Sequence, residues 1–413
     1  MQPSRSIAAL TLAMAFGMLH AADWPQYRGP NSDGTTSEVI LTSWPADGLP
    51  VVWKSKMGEG FGSVAVVGPR LYVFAERGGD EVVIAMDSAT GKEVWAVPLG
   101  KTIFEKAGGN GPRSTPTIDG DHVYVLGTYL RLTCLSAKDG KLEWSHDLAT
   151  EFDGQLKTSG IGNWGNAASP VIEGDLVLVA GGGNGQALMA FNKATGKLAW
   201  KSQDDKITHA TAVPATIANQ KQVVFFTQSG LAGVDAKGEV LWRAQFPFST
   251  STAASPLIEG NVVYCSAGYG VGGGAFTVSK QGDAWKATPL WRTSNENINH
   301  WSTPVVKEGY VYGLFGFKEF KTEPLKCIDI KTGKLQWSES GFGQGGTIIV
   351  GGNLLVQGDQ GQLVLAKAAP DKYSELARAQ VLTGKCWTMP VVANGHIYCR
   401  STKEIVCLDA RAK

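Results

Sequence analysis

Net charge is nearly absent from this 413-residue chain: 38 Lys and Arg stand against 37 Asp and Glu. A protein that grips nucleic acid shows a basic face, so this balance argues against a nucleic-acid partner. Long hydrophobic runs are also missing. The longest, near the N-terminus, spans about 14 residues where a bilayer crossing needs roughly 20, so no membrane span is expected. No Cys-x-x-Cys-His occurs, which excludes a covalently attached c-type haem. A phosphate-binding Gly-x-x-x-x-Gly-Lys-Ser/Thr, a His-Glu-x-x-His and a Gly-x-Ser-x-Gly are absent too, which removes the commonest motif-borne hydrolases.

Glycine and tryptophan, by contrast, are plentiful, with 52 and 13 copies in a chain that is 43% apolar. Residues 1–22 read as a secretory signal: Arg5 supplies the positive start, Ser6 to Leu19 the apolar segment and Ala21-Ala22 the small residues for cleavage. The first cysteine after this segment is Cys134, so a lipid anchor is not expected, and the chain reads as a soluble periplasmic or secreted protein. Residues 23–50 are rich in Pro, Gly and Asn without a period and read as an N-terminal arm, with Trp24, Tyr27 and Trp44 tucked into crevices of the surface.

From residue 51 to 413 one unit recurs. Ala85 to Trp95 reads A-M-D-S-A-T-G-K-E-V-W, echoed at Cys134 to Trp144, Ala190 to Trp200 and Cys327 to Trp337, and one residue shorter at Gly233 to Trp242. Apolar alternation before the Asp gives a half-buried strand, the Asp and Gly give the turn, and the Trp sits on the returning strand. The Trp positions 53, 95, 144, 200, 242, 291 and 337 are separated by 42, 49, 56, 42, 49 and 46 residues, the period of a four-stranded propeller blade. Each unit opens on a strand that follows Ser/Thr-Pro or a variant of it, where a missing N–H is tolerated. After the last repeat, Cys386 to Ala410 supplies three strands, and Val51–Lys54 supplies the fourth from the other end of the chain. The fold expected is all-β: an eight-bladed β-propeller of four-stranded antiparallel blades, closed by pairing of its N- and C-terminal strands. Such a ring needs no second copy, and a monomer is expected.

The motif A-x-D-x-x-T-G-K-x-x-W resembles that of the PQQ-like (quinoprotein-type) β-propeller repeat family, and the resemblance runs from Trp53 to Asp409. It implies that Trp53, Trp95, Trp144, Trp200, Trp242, Trp291 and Trp337 are structural, each packing against the Gly turn of a neighbouring blade. The family includes alcohol and sugar dehydrogenases, which stack pyrroloquinoline quinone on a disulfide between adjacent cysteines and hold calcium with Glu, Asn and Asp. It also includes non-catalytic periplasmic scaffolds of the BamB type. No two cysteines are adjacent here, so the first dehydrogenase feature is missing and no cofactor is expected.

Function is therefore sought where the repeat is broken, in the loops joining the fourth strand of one blade to the first of the next. These gather Asn110, Arg113, Asn163, Trp164, His209, Asn299, His300, Trp301 and Trp387 around the central channel. Aromatic walls with a few convergent polar groups are what binding sites need, and a protein, peptide or envelope polymer is the expected ligand. The alternative is a quinone-dependent or other small-molecule oxidoreductase, with Arg113, His209, Trp301 and Trp387 lining its pocket. No catalytic residue is assigned. His209 and His300 obey no metal-ligand spacing, so no metal is assigned either. Paired carboxylates, which glycoside hydrolysis requires, are missing from these loops; Asp204-Asp205 reads as a solvated turn. Of the six cysteines, Cys134, Cys327 and Cys407 fall in one small buried slot of the repeat. Cys399 and Cys407 flank the turn 401–404 and read as two free buried thiols or, in an exported protein, as a candidate disulfide.

Overall fold

The computed structural model describes residues 23–105, 108–156, 164–250, 252–294, 296–316 and 324–412. The expected signal segment lies outside them. Eight sheets succeed one another along the chain, each built on four antiparallel strands, one of them extended by a fifth, parallel strand. Blade 1 comprises Ala65–Val67, Arg70–Arg77, Asp80–Asp87 and Glu93–Lys101. Blades 2 to 7 follow in the same order within 117–147, 171–202, 213–245, 257–292, 305–339 and 346–380. Blade 8 takes three strands, Val391–Ala393, His396–Arg400 and Glu404–Asp409, from the C-terminal end. Its fourth is Val51–Lys56, with Trp53 opposite Cys407. The ring is thus closed by the two ends of the chain, as the repeat count requires.

First strands of neighbouring blades contact one another around the axis, and hydroxyl groups stitch them together. Thr115 Oγ1 accepts from Ser63 N, Ser169 Oγ from Thr115 N, Thr211 Oγ1 from Ser169 N and Thr303 Oγ1 from Ser255 N, all at 2.9–3.0 Å. This explains the Ser/Thr-Pro signals. The proline only precedes a strand that starts one residue later, as at Thr117, Val171, Leu257 and Val305; the hydroxyl before it reaches back to the preceding blade.

At the outer edge six indoles reach across to the following blade. Trp53, Trp95, Trp144, Trp200, Trp291 and Trp337 donate to the carbonyls of Ser88, Ala137, Lys193, Ala236, Ile330 and Ala369 at 2.8–3.2 Å. Gly196, at φ +71°, shows why the turn needs glycine: a Cβ there would stand 2.8 Å from the Trp144 ring. Trp242 departs from the pattern. It faces blade 5, whose outer hairpin runs on to Gln281 and Ala284 around Gly282-Asp283, without the Asp-x-x-Thr-Gly turn of the repeat, and it donates instead to Gln222 of its own blade.

The candidate disulfide between Cys399 and Cys407 is not formed. Arg400 pairs with Ile405, so Cys399 faces Val406 while Cys407 faces Tyr398. An offset of one residue puts the two sulfurs on opposite faces of the sheet, and all six cysteines are free and buried. Asp205 is not a solvated turn residue either: its carboxylate accepts from Thr227 Oγ1 at 2.6 Å, from Ser229 Oγ and from Arg243.

The arm does more than lie on the surface. Trp24 bridges Val66 in the first strand of blade 1, and Pro25 O accepts from Ile118 N in that of blade 2. Arg28 donates to Thr303 O of blade 6 at 3.3 Å, and Thr35–Thr36 adds a parallel strand to blade 7. Contacts with the innermost strands of four blades require the arm to cross the channel, and Trp24 and Arg28 are buried there. Burial lowers the Arg28 pKa, and carbonyls of Ser32, Asp33 and Thr303 take its donors.

Candidate functional site

With one end of the channel filled by the arm, the other is left as a cup. A cavity of about 400 Å³ opens among the inter-blade loops, with Tyr27 of the arm reaching it from below. Tyr27 is fixed by a 2.9 Å hydrogen bond between its hydroxyl and Thr303 Oγ1. All eight connections contribute at least one lining residue.

One side of the cup is a continuous aromatic arc. Phe61 lies 5.5 Å from Trp387, Trp387 stacks on Trp301 at 4.9 Å and 18°, Trp301 meets His300 at 5.3 Å, and His300 meets the edge of Tyr269 at 5.2 Å. Across from it Trp164 packs on His209 at 6.3 Å. Two cations sit over the arc. Lys385 Nζ is 4.1 Å from the Trp387 ring centroid and donates to Gly108 O at 3.0 Å. The Arg113 guanidinium lies 5.5 Å from the Phe61 ring and donates to the carbonyls of Gly109 and Gly111 at 2.9 and 2.8 Å. Burial lowers the pKa of both, opposed in each case by nearby carboxylates, Glu105 among them.

Beneath the rim lies Glu81, the opening residue of a buried strand face in blade 1. Its carboxylate accepts from Thr128 N at 3.1 and 3.3 Å and from the Thr128 hydroxyl, tying blade 1 to blade 2. Burial pushes its pKa up to about 7, against the stabilising effect of Thr128 and Arg113.

Six of the nine rim residues expected from the sequence line the cavity together: Arg113, Trp164, His209, His300, Trp301 and Trp387. Asn110 and Asn299 do not. Asn110 Oδ1 accepts from Glu105 N, and Asn299 is fully buried, accepting from the Tyr264 hydroxyl at 2.7 Å and donating to Leu314 O at 2.7 Å. Both brace loops. Asn163 lies outside the described residues. His300 Nδ1 accepts from Gly268 N at 3.2 Å, and neither His300 nor His209 belongs to a cluster of metal-ligating groups among the described residues. Sequence reasoning missed Phe61, Tyr269 and Tyr27. Phe61 was findable, because 57–64 is the same kind of inter-blade loop as the others. Tyr269 sits within the Gly268 to Gly274 hairpin, and Tyr27 in an arm without period.

The profile of a family described as outer membrane protein assembly factor BamB matches residues 79–314. The chain is 24% identical to the BamB of Yersinia pestis over 357 residues, 84% of this chain and 74% of that protein. It is 27% identical to the quinoprotein alcohol dehydrogenase PedH of Pseudomonas putida over 214 residues, but these span only 31% of that enzyme. Among solved structures, BamB from Moraxella catarrhalis superposes with a TM-score of 0.62 at 15% identity, covering 88% of this chain and 98% of that one.

Proposed function

The chain belongs to the propeller family described as outer membrane protein assembly factor BamB, and from that premise we propose that it is an exported scaffold. Its rim holds a protein partner of the cell envelope, and the cup receives an apolar or aromatic side chain of that partner. The observation that carries this reading is the character of the cup. Its wall is an aromatic arc, the guanidinium of Arg113 is spent on holding loop carbonyls, and its described lining contains no Asp, Glu or Cys. Such a wall recognises shape and apolar surface, as hot-spot pockets do. The size suits one or two side chains.

The quinone-dependent reading finds no support in this lining. Calcium would find no carboxylate among the described lining residues, and one broad face of Trp301 is taken by Trp387. The residues present do not fit the group.

The test is a tryptophan-fluorescence titration of the purified protein. One arm uses short soluble peptides containing Trp, Phe or Leu, with Gly/Ser peptides as control. The other uses pyrroloquinoline quinone with Ca²⁺ and a dye-linked oxidation assay. Saturable quenching by aromatic peptides, weakened more than about tenfold in Trp301→Ala, is expected. Saturable quinone binding with turnover, and no peptide response, would retire the scaffold reading.

A further inference from the structure

Blades 2, 6 and 8 share a local arrangement that the scaffold role does not use. Each sets a Tyr on its second strand opposite a Cys on its third: Tyr124 and Cys134, Tyr312 and Cys327, Tyr398 and Cys407. The blades differ in what surrounds the sulfur. Two residues before the Tyr stand His122, Tyr310 and His396. On the fourth strand, the residue just before the Trp sits where the register shifts, a bulge that re-aims its side chain. That residue is Glu143 in blade 2, Gln336 in blade 6 and Val52 in blade 8; in blades 1, 3, 4 and 5 it is Val94, Ala199, Leu241 and Leu290. Only blade 2 puts a carboxylate there.

The result is an imidazole, a thiol and a carboxylate converging on one point. His122 Nε2 lies 2.9 Å from Glu143 Oε2, Cys134 Sγ lies 4.0 Å from the same oxygen, and the three donor atoms all fall within 4.8 Å of one another. Around a tetrahedral zinc-sized ion with bonds of about 2.0–2.3 Å, neighbouring donors stand about 3.3–3.8 Å apart, so the three need move by less than about 1 Å to share one ion. Sulfur, nitrogen and oxygen donors in that combination suit borderline-soft divalent ions rather than calcium or magnesium.

We propose that His122, Cys134 and Glu143 form a three-ligand site for a divalent ion of the zinc class, with water as the fourth ligand. The His122 and Glu143 side chains are about a third exposed while Cys134 is buried beneath them, so the ion enters from solvent and the thiol closes the site from below. On binding, the Cys134 proton, held to about 12 by burial and the nearby Glu143, is displaced to solvent, while the Tyr124 phenol opposite it continues to donate to Lys193 O at 3.0 Å. The ion would clamp the second, third and fourth strands of blade 2 beside Trp144.

Co²⁺ is the probe, because a thiolate-to-cobalt charge-transfer band and intense visible bands report a tetrahedral site. The expected result for the purified protein is one equivalent bound, displaced by Zn²⁺. Cys134→Ala, which installs the residue found in this slot at Ala85 and Ala190, should abolish the charge-transfer band. His122→Gln and Glu143→Gln should each weaken binding by more than about tenfold, the least that loss of even an outer-sphere partner costs. Cys327→Ala, in the same slot of blade 6, should change nothing. A band that survives Cys134→Ala, a loss shared equally by Cys327→Ala, or no stoichiometric binding in the unaltered protein would each overturn the proposal.

Discussion

The two mouths of the channel are lined by the same eight blades yet treated oppositely. At one, the arm lays Trp24 and Arg28 across the opening, buries both and satisfies Arg28 with three carbonyls. At the other, Trp301 and Trp387, both only partly buried, and the exposed Tyr269 stand around an open cup. Aromatic surface withdrawn from water stabilises the fold; aromatic surface left half in water is available to a partner. The largest effect expected from this difference is on Trp24. Trp24→Ala removes a fully buried indole from the plugged mouth and should cost about 3–5 kcal/mol of unfolding free energy, read from chemical denaturation. A loss under about 1 kcal/mol would mean that the arm is not part of the folded core, and the two mouths would then be equally open.

A second, smaller difference is electrostatic. The plugged mouth is held by a cation that stays charged, whereas the rim is braced by Glu81, whose carboxyl is raised from 4.5 to about 7 by burial beside Thr128. Folding therefore favours the neutral acid: its contribution is full below about pH 4.5 and is lost as pH rises through about 7. The size follows from the shift, about 3 kcal/mol at most. Stability should fall between pH 5 and pH 8 in the unaltered protein, and Glu81→Gln should flatten that slope. An unchanged slope in Glu81→Gln would assign the pH dependence elsewhere, and the rim would be no more titratable than the plug.

What could be read from sequence divides along the same line. Blade count and ring closure were legible because most repeats make the same short-range contacts: an Asp, Asn or Ser opening a turn, a Gly at positive φ, a Trp reaching one blade onward. Trp242 escaped this reading because the blade it faces has exchanged the repeat's turn for a longer hairpin, a fact written some 40 residues away. The arm was legible only as an aperiodic stretch, since its bonds run to Thr303 and Ile349, far along the chain. Asn299 looked like a ligand because an Asn in a loop has the same appearance whether it faces solvent or pairs with Tyr264. The candidate cysteine pair failed through an offset of one residue, which alternation turns into opposite faces.

The smallest stability effect should come from the centre of the arc. Trp387 touches Phe61 and Trp301 and carries Lys385 over its face, but it is half-buried and bears no strand pairing. Trp387→Ala should therefore cost no more than about 1 kcal/mol in denaturation. The same change should erase the near-ultraviolet circular dichroism of the stacked Trp301 and Trp387 and weaken aromatic-peptide binding as strongly as Trp301→Ala does. That split between stability and recognition is what a wall built for a partner requires, since its contacts mature only when the partner arrives. A stability loss rivalling that of Trp24→Ala would make the arc part of the skeleton of the ring, and recognition would have to be sought on the exposed faces of the outer strands instead.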